Sequence, residues 1–471
     1  MPEGPARKNL PAIDCGISLD GPTIVLARIA VQRRGDDRVI RNIWLAGLAL
    51  FAVPVQAGVP SIPSVDAPEL AALGPNTVGF RSILLTHHNQ PDVENAKVDG
   101  TQVPRVDRSL RVDIWYPALP TKGAKPVLYR GSLWAEPPFP PVSFSQQGIA
   151  VADAQSAGNK HPLVIISHGY SNNPAMMTWL TENLASKGYV VAAIHHNDPN
   201  PYVASPSTRA APNFNRPRDI IFVTSELRTI LGDLVDAANV ALIGYSQGGY
   251  GALTAGGASL DPAGPNMELV AGGSLKAFAR GTPQADAIAL KGVKAVVALA
   301  PAGGAPRSAW GAEGLAAITA PLLLIHGDSD PVVEYKSGAL AVFNGAVNSQ
   351  RYLLTYKQAG HAIALNPAPP EMRGTVWDID WFEDPIWRQD RMNAINLHFI
   401  TAFLAVHLRK DHNKSAYLHM AVEDSDDGTW DAPAGTAWGA YSPGGEGVTL
   451  WKGFQRRHAR GMTLQHQAAA K

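Results

Sequence analysis

The segment Gly244-Tyr245-Ser246-Gln247-Gly248 has the pattern G-x-S-x-G and follows an apolar run at Val240 to Ile243. The apolar run predicts a strand and the small residues after the motif predict a helix, so Ser246 would lie on the sharp turn between them. Such a turn strains the backbone and leaves no room for bulky side chains two residues before and after the serine, where this chain has glycine. The turn exposes the hydroxyl group, which makes Ser246 a candidate nucleophile. The alternative, in which the serine only caps a helix, depends on whether an acid and a base follow.

An acid and a base do follow, in the order Ser, Asp, His. The predicted strand Leu322 to Ile325 leads into HGDSDP at 326–331, and the predicted strand Tyr352 to Tyr356 leads into KQAGH at 357–361. Carboxyl ends of parallel strands meet at one edge of a sheet, so we expect Asp330 and His361 to lie beside the serine. Asp328 is the competing acid, but it directly follows a glycine and is better placed to brace the turn.

These three residue types predict nucleophilic catalysis on an acyl carbon. Ser246 would attack the carbon, His361 would take the hydroxyl proton and return it to the leaving group, and Asp330 would hold the imidazole in one tautomer.

The negative oxygen that forms during such an attack requires two convergent N–H donors. Gln247, the residue after the nucleophile, supplies one N–H group at the start of the helix. The second donor is expected in the sharp turn after the predicted strand Leu163 to Ser167, where Tyr170 is the first choice and Gly169 the alternative. We interpret His168 in this turn as a supporting residue, because His361 already serves as the base.

The order of the predicted elements indicates an α/β fold with a mainly parallel sheet covered by helices on both faces. Residues 58–78 predict a linker, 79–410 the main domain with an insertion near 257–290, and 411–471 a C-terminal surface extension with a frayed end. The predicted strands are 80–86, 110–116, 163–167, 189–194, 240–243, 293–299, 322–325 and 352–356, and the predicted helices are 178–187, 220–231, 250 onward and 390–408.

Composition excludes several classes of function. Lys plus Arg and Asp plus Glu both number 40 in 471 residues, and no run of five like charges occurs, which argues against a nucleic-acid partner. Cys15 is the only cysteine, so an intramolecular disulfide, a cysteine-based zinc site and an iron–sulfur cluster are excluded. We expect no metal and no cofactor, and the oligomeric state stays open.

The first 57 residues have the layout of a signal peptide. Arg38 and Arg41 precede the uncharged run Ile43 to Val55, and small residues follow at the expected cleavage position. Thirteen apolar residues are too few to cross a hydrocarbon core of about 30 Å, so we expect export to a periplasmic or extracellular location without stable membrane insertion. The long segment before this run suggests that translation starts later, at Val39.

Six segments resemble the α/β-hydrolase superfamily, within it the branch of dienelactone-hydrolase-like and platelet-activating-factor-acetylhydrolase-like serine esterases. They are LVIISHGYSNNP, ENLASKGYVVAAIHHND, RPRDIIFVTSEL, IGYSQGGYGAL, LLLIHGDSDPVV and QAGHAIAL, between Arg111 and about Leu408. Two features depart from this branch: dienelactone hydrolases have a cysteine where this chain has Ser246, and the acetylhydrolases carry their acid one strand earlier than Asp330.

The resemblance implies a cofactor-free serine hydrolase with the oxyanion donors at Tyr170 and Gln247. We expect a secreted enzyme that cleaves carboxylic esters through an acyl-enzyme intermediate, acting on a small-molecule or polymeric ester. The segment WLTENLASKGYVVAAI is also similar to secreted cutinases and polyester hydrolases, so a cutinase-like polyester hydrolase is the first alternative. A serine peptidase or amidase and a non-catalytic binding protein are the others.

Overall fold

A computed structural model of the chain describes residues 59–97, 102–304, 308–372, 382–432, 434–437 and 440–470. The predicted signal peptide at 1–57 and the alternative start at Val39 lie outside these ranges. None of the helices within them combines the length and the apolar character needed to span a bilayer.

The described residues form one eleven-stranded sheet in the order β11-β10-β9-β8-β7-β5-β6-β2-β1-β4-β3. The pairs from β6 through β5, β7, β8 and β9 to β10 are parallel, whereas β1, β2, β3 and β11 each make antiparallel pairs at the two sides of this block. The strands are β1 Thr77–Pro91, β2 Arg105–Ala118, β3 Pro126–Leu133, β4 Val142–Ala152, β5 His161–Ser167, β6 Val190–Ile194, β7 Val235–Tyr245, β8 Val293–Leu299, β9 Leu322–Gly327, β10 Arg351–Tyr356 and β11 Met462–Gln467.

Helices connect the parallel strands. Within the described ranges they are α1 Thr178–Ser186, α2 Pro206–Ala210, α3 Pro212–Ile230, α4 Gln247–Ala255, α5 Asn266–Leu269, α6 Gly311–Ala316, α7 Ala339–Gly345 and α8 Gln389–Arg409.

Alternate side chains of the central strands enter two separate cores. Val164 and Ile166 of β5 join a cluster with side chains of α1 and α8, whereas Leu163 and Ile165 join a cluster with side chains of α3, α4 and α7. Both faces of these strands are buried, which is why they read as continuous apolar runs in the sequence. The predicted α/β class, with helices on both faces of a mainly parallel sheet, is confirmed.

The register of the sheet brings several carboxyl ends to one edge. Ser167 at the end of β5 pairs with Gly244 near the end of β7, and Tyr356 at the end of β10 pairs with Gly327 at the end of β9. The loops that follow these strands therefore begin side by side.

The sequence did not predict the hairpin of β3 and β4, which packs on α1. The Glu182 carboxylate on α1 accepts hydrogen bonds from the Tyr129 hydroxyl at 2.8 Å and from the N–H groups of Ile149 and Ala150 at 2.8 and 2.9 Å. The predicted linker also packs here, because the buried Ser61 donates its hydroxyl to the same carboxylate.

The insertion near 257–290 forms α5 and two short 3-10 helices, Ala271–Phe278 and Ala285–Ile288. It packs on the first part of α3, where the Phe278 and Phe214 rings lie edge to face with centroids 5.5 Å apart.

The C-terminal segment is a structural part of the domain, where the sequence predicted a surface extension. Its strand β11 pairs along the whole of β10, and Trp451, Phe454, Met462 and Leu464 are buried in the core that contains α8. The sequence pattern missed this strand because only Met462 and Leu464 of its six residues are buried.

We expect Leu464→Ala to lower the free energy of unfolding by about 2–5 kcal/mol, since it removes a buried side chain from the core. Gln465→Ala on the same strand is the matched control and should change it by less than about 0.5 kcal/mol. Urea denaturation measures both values, and equal small effects would contradict a core role for β11.

Candidate active site

The backbone at Ser246 has φ 53° and ψ −117°, in the region that non-glycine residues rarely adopt. It is held there by tight packing on both sides. A Cβ atom at Gly244 would lie 2.0 Å from the Gly248 carbonyl oxygen, and one at Gly248 would lie 1.9 Å from the Ser167 carbonyl oxygen. Both glycines of the motif are therefore required by space, and the serine sits between the end of β7 and the start of α4.

The structure brings Ser246, His361 and Asp330 together in one hydrogen-bonded relay. Ser246 Oγ lies 3.0 Å from His361 Nε2, and His361 Nδ1 lies 2.6 Å from Asp330 Oδ2. Since the carboxylate can only accept, the imidazole must carry its proton on Nδ1 and present Nε2 as an acceptor to the serine hydroxyl. The arrangement can remove the proton of Ser246.

Asp330 is the buried acid of this relay and makes three further contacts. Its Oδ1 accepts from the N–H groups of Val332 and Val333 at 2.8 and 2.9 Å, and His326 Nε2 lies 3.1 Å from its Oδ2. Burial alone would raise the pKa of Asp330, but hydrogen bonds from His326, His361 and the backbone hold it well below its usual range. The carboxylate is therefore ionised at neutral pH.

Asp328 has a different role. Its Oδ1 accepts from the Gln358 N–H at 2.6 Å and from the Ser329 hydroxyl at 2.9 Å, which ties the β9 loop to the β10 loop.

Two residues that the sequence did not assign support the loop that carries His361. Asp384 accepts from the Gly360 N–H at 2.7 Å and also from the N–H groups of Ile386 and Trp387. Tyr245 donates its hydroxyl to the His361 carbonyl at 3.0 Å, and its ring lies 5.2 Å from the imidazole. Tyr245 belongs to the serine motif, whereas no sequence signal connects Asp384 with residue 360.

The two expected oxyanion donors lie on segments that touch. Gln247 is the first residue of α4, where the N–H group has no partner within the helix. The turn that contains Tyr170 follows β5, and a Cβ at the neighbouring Gly169 would lie 3.0 Å from the Tyr245 ring. One candidate donor, Gln247, directly follows Ser246 in the chain. The other, Tyr170, belongs to a turn that packs against Tyr245, the residue before Ser246.

A buried polar network lies under the turn after β5. His196 Nδ1 lies 2.9 Å from Asp219 Oδ2, and its Nε2 lies 2.9 Å from the Ser167 hydroxyl. Burial, together with the charge of Arg216, lowers the pKa of His196 to about 4, although Asp219 opposes the shift. His168 packs edge to face on His196, and burial also lowers the pKa of His168 far below its usual value.

An open cavity of about 800 Å³ lies beside the same turn. The turn contributes Ser171 and Asn172 to its lining, and the β3–β4 hairpin contributes Arg130, Trp134 and Phe144. Among the residues that the structure describes, no three His, Cys, Asp or Glu side chains are grouped so that they could hold a metal ion.

Comparisons with known proteins find a family model, curated relatives and a solved structure that are similar to parts of the chain. A family model described as PETase, PET hydrolase-like, matches residues 148–266. Over 95 residues the chain is 33% identical to cutinase est2 of Thermobifida alba, covering 20% of this chain and 30% of that protein. The same 33% over 95 residues holds for cutinase 2 of Thermobifida cellulosilytica, of which 34% is covered. The chain thus spans about a third of the length of the curated relatives that it matches.

A solved structure, the ferulic acid esterase from Streptomyces cinnamoneus, aligns with a TM-score of 0.47 and 21% identity, covering 73% of this chain and 94% of that one.

The buried network predicts a loss of stability in acid. The pKa of His196 is about 4 in the folded protein and about 6.5 in an unfolded chain, so protons bind the unfolded state more tightly. Its stabilising contribution is complete above pH 6.5 and disappears as the pH falls to 4, a change of about 3 kcal/mol. The charged groups that face His196 are Asp219 and Arg216 on α3, Asp198 on the loop after β6 and Arg108 on β2. The ring of His168 also lies beside it.

Urea unfolding of wild type and His196→Gln between pH 4 and pH 7 measures this change. The difference in free energy of unfolding between the two proteins should shrink as the pH falls, and His412→Gln on the surface is the control. A constant difference across the range would contradict the assignment.

Proposed function

We propose that the chain is a serine esterase of the α/β-hydrolase kind, which cleaves carboxylic esters through an acyl-enzyme intermediate. The observation that carries this proposal is the hydrogen-bonded relay of Ser246, His361 and Asp330 at the carboxyl edge of the sheet. Ser246 lies on a strained turn, and the other two residues lie on the loops after β10 and β9.

The geometry supports a two-step reaction. His361 Nε2 accepts the hydroxyl proton as Ser246 Oγ attacks the ester carbon, and the ionised Asp330 stabilises the imidazolium that results. The imidazolium then protonates the leaving alcohol, which leaves an acyl group on Ser246. A water molecule repeats the attack with His361 as base, releasing the acid and restoring the serine.

We assign the N–H groups of Tyr170 and Gln247 to the oxygen that becomes negative in each step. Such donors act only when charge develops, so they raise kcat more than they change substrate binding. The open cavity beside the Tyr170 turn has the volume of a typical ligand site, and its lining includes His168 and Ser171 but neither Ser246 nor His361.

A cutinase-like polyester hydrolase is the second candidate. The matched PET hydrolase-like region contains the serine motif and the turn after β5. In addition, Val332 is 67% exposed two residues after Asp330, and Ile386 is 61% exposed beside the Asp384 that braces Gly360. Val332 and Ile386 are thus exposed apolar side chains on segments that contact the His361 loop or its acid partner, and such side chains would suit a polymer chain lying across the site.

We also propose that the enzyme is exported to the periplasm or beyond the cell. The support is the sequence of the first 57 residues, in which basic residues precede a short apolar run and small residues end it.

Ser246→Ala should lower kcat by about 10⁴ to 10⁶, because a concerted relay loses most of its effect with any one member. The test is hydrolysis of p-nitrophenyl esters from acetate to palmitate, with an amorphous terephthalate polyester and an anilide alongside. A fluorophosphonate probe should label the wild type on Ser246 and leave the variant unlabelled. Retention of more than a tenth of the activity would remove Ser246 from the nucleophile role, and faster anilide than ester turnover would favour an amidase.

Asp330→Asn should lower kcat by about 10⁴, since the amide allows the wrong imidazole tautomer. Asp328→Asn is the matched control, two residues away and on the same loop, and it should lower kcat far less because Asp328 contacts the Gln358 backbone. Steady-state kinetics on one p-nitrophenyl ester compares the two. The reverse ranking would transfer the acid role to Asp328.

A further inference from the structure

Arg216 on α3 is fully buried beneath the turn after β5. Its guanidinium donates to the Ser167 hydroxyl at 3.0 Å, to the His168 carbonyl at 2.5 Å and to the Gly169 carbonyl at 3.0 Å. These contacts join a helix to three successive residues of one short backbone segment. The reaction described above uses none of these contacts directly.

Asp198 completes the arrangement from the loop after β6, the strand parallel to β5. Its carboxylate pairs with the same guanidinium and accepts the Ser171 N–H at 2.9 Å. The turn is therefore held at both ends by one buried ion pair: the carbonyl groups of its first part face Arg216, and an N–H group of its last part faces Asp198. We call Arg216 and Asp198 the turn clamp.

Peptide geometry links this clamp to the expected oxyanion donor. In a trans peptide the C=O group of one residue and the N–H group of the next point in opposite directions. Because the Gly169 carbonyl is directed at Arg216, the Tyr170 N–H must point away from the clamp. A Cβ at Gly169 would touch the Tyr245 ring, so this part of the turn packs directly against the residue before Ser246.

The direction of this peptide depends on Arg216 more than on other partners. The Gly169 carbonyl also receives the Asn172 N–H at 3.2 Å and His168 Nδ1 at 2.7 Å, but both partners belong to the turn itself and would move with it. Arg216 is anchored on α3, and its rigid fork reaches two successive carbonyl groups at once. A point-like ammonium group could not hold both.

We propose that Arg216, paired with Asp198, is a positioning residue that fixes the Tyr170 N–H in the orientation required to bind the oxyanion. This inference rests on the proposed esterase function. Arg216 makes no hydrogen bond to Ser246, and it acts by setting the direction of one peptide group. Its loss should therefore impair the transition state while leaving substrate binding intact.

The test compares Arg216→Lys with Arg218→Lys in the full-length protein. Lysine at 216 keeps the charge that Asp198 needs but loses the fork. Arg218 lies two residues further on the same helix, where its guanidinium stacks on Phe214 and Phe278 and has no contact with the turn. With p-nitrophenyl butyrate, Arg216→Lys should lower kcat by about 10²- to 10³-fold, the usual effect of losing one oxyanion donor, and KM should change less than about threefold. Arg218→Lys should leave both values near wild type.

Two further readouts separate positioning from a general loss of structure. The inhibition constant of a boronic acid, whose adduct with Ser246 places an oxygen in the oxyanion hole, should rise in parallel with the fall in kcat/KM. Added guanidinium should restore part of the kcat of Arg216→Ala, because it can occupy the vacated space, and it should not raise the kcat of Arg218→Ala.

If Arg216→Lys does not fold, Asp198→Asn provides the same comparison and is expected to show the same loss in kcat at constant KM.

The outcomes distinguish the two proposals. Ester hydrolysis that depends on Ser246, with kcat of the folded Arg216→Lys within threefold of wild type, would overturn the positioning role alone. A higher KM at unchanged kcat would also overturn it, since that pattern indicates lost substrate binding. A wild type that hydrolyses none of the esters and is not labelled by the fluorophosphonate would overturn the proposed function and this inference with it.

Discussion

The left-handed backbone of Ser246 is the constraint on which the site depends. A non-glycine residue holds such a conformation only where its surroundings leave no other choice, and here the surroundings are backbone atoms within about van der Waals contact on both sides. Gly244 packs against the start of α4, and Gly248 packs against the carbonyl group that ends β5. The Leu299 carbonyl at the end of β8 accepts the Ser246 N–H at 2.9 Å. Three parallel strands thus converge on one residue, and the sheet must be correctly formed before the hydroxyl can be presented.

The same convergence explains why residues far apart in the chain meet. His361 and Asp330 follow adjacent parallel strands, β10 and β9, and their loops are joined by the contact of Asp328 with the Gln358 N–H. Only short loops are needed to reach Ser246, so few conformations remain open to the relay. Burial of the Asp330 side chain completes the arrangement, because a solvated carboxylate would orient the imidazole less firmly.

The sequence predicted the elements whose signal is local. The central strands are apolar on both faces, so their positions and their shared edge could be read directly. The supporting residues could not be read, because their partners are distant: Asp384 braces Gly360 and Arg216 reaches the turn after β5, with nothing in the local pattern to connect them. The strands at the two ends of the sheet were missed for another reason. They are half-buried, and a few alternating side chains are a weak signal in a short segment.

A buried ion pair beneath the turn after β5 requires a reason, because desolvation of two charges usually cancels the attraction between them. Apolar side chains of equal volume would fill the space of Arg216 and Asp198, but they would leave the carbonyl groups of His168 and Gly169 and the N–H group of Ser171 without these partners. Unpaired backbone groups in a buried position are costly, and the turn would rotate its peptides to find other partners. The charges are therefore best understood as the means of holding a backbone segment that has no regular secondary structure. The proposed oxyanion donor lies on such a segment, and it can be only as well oriented as the groups that hold it.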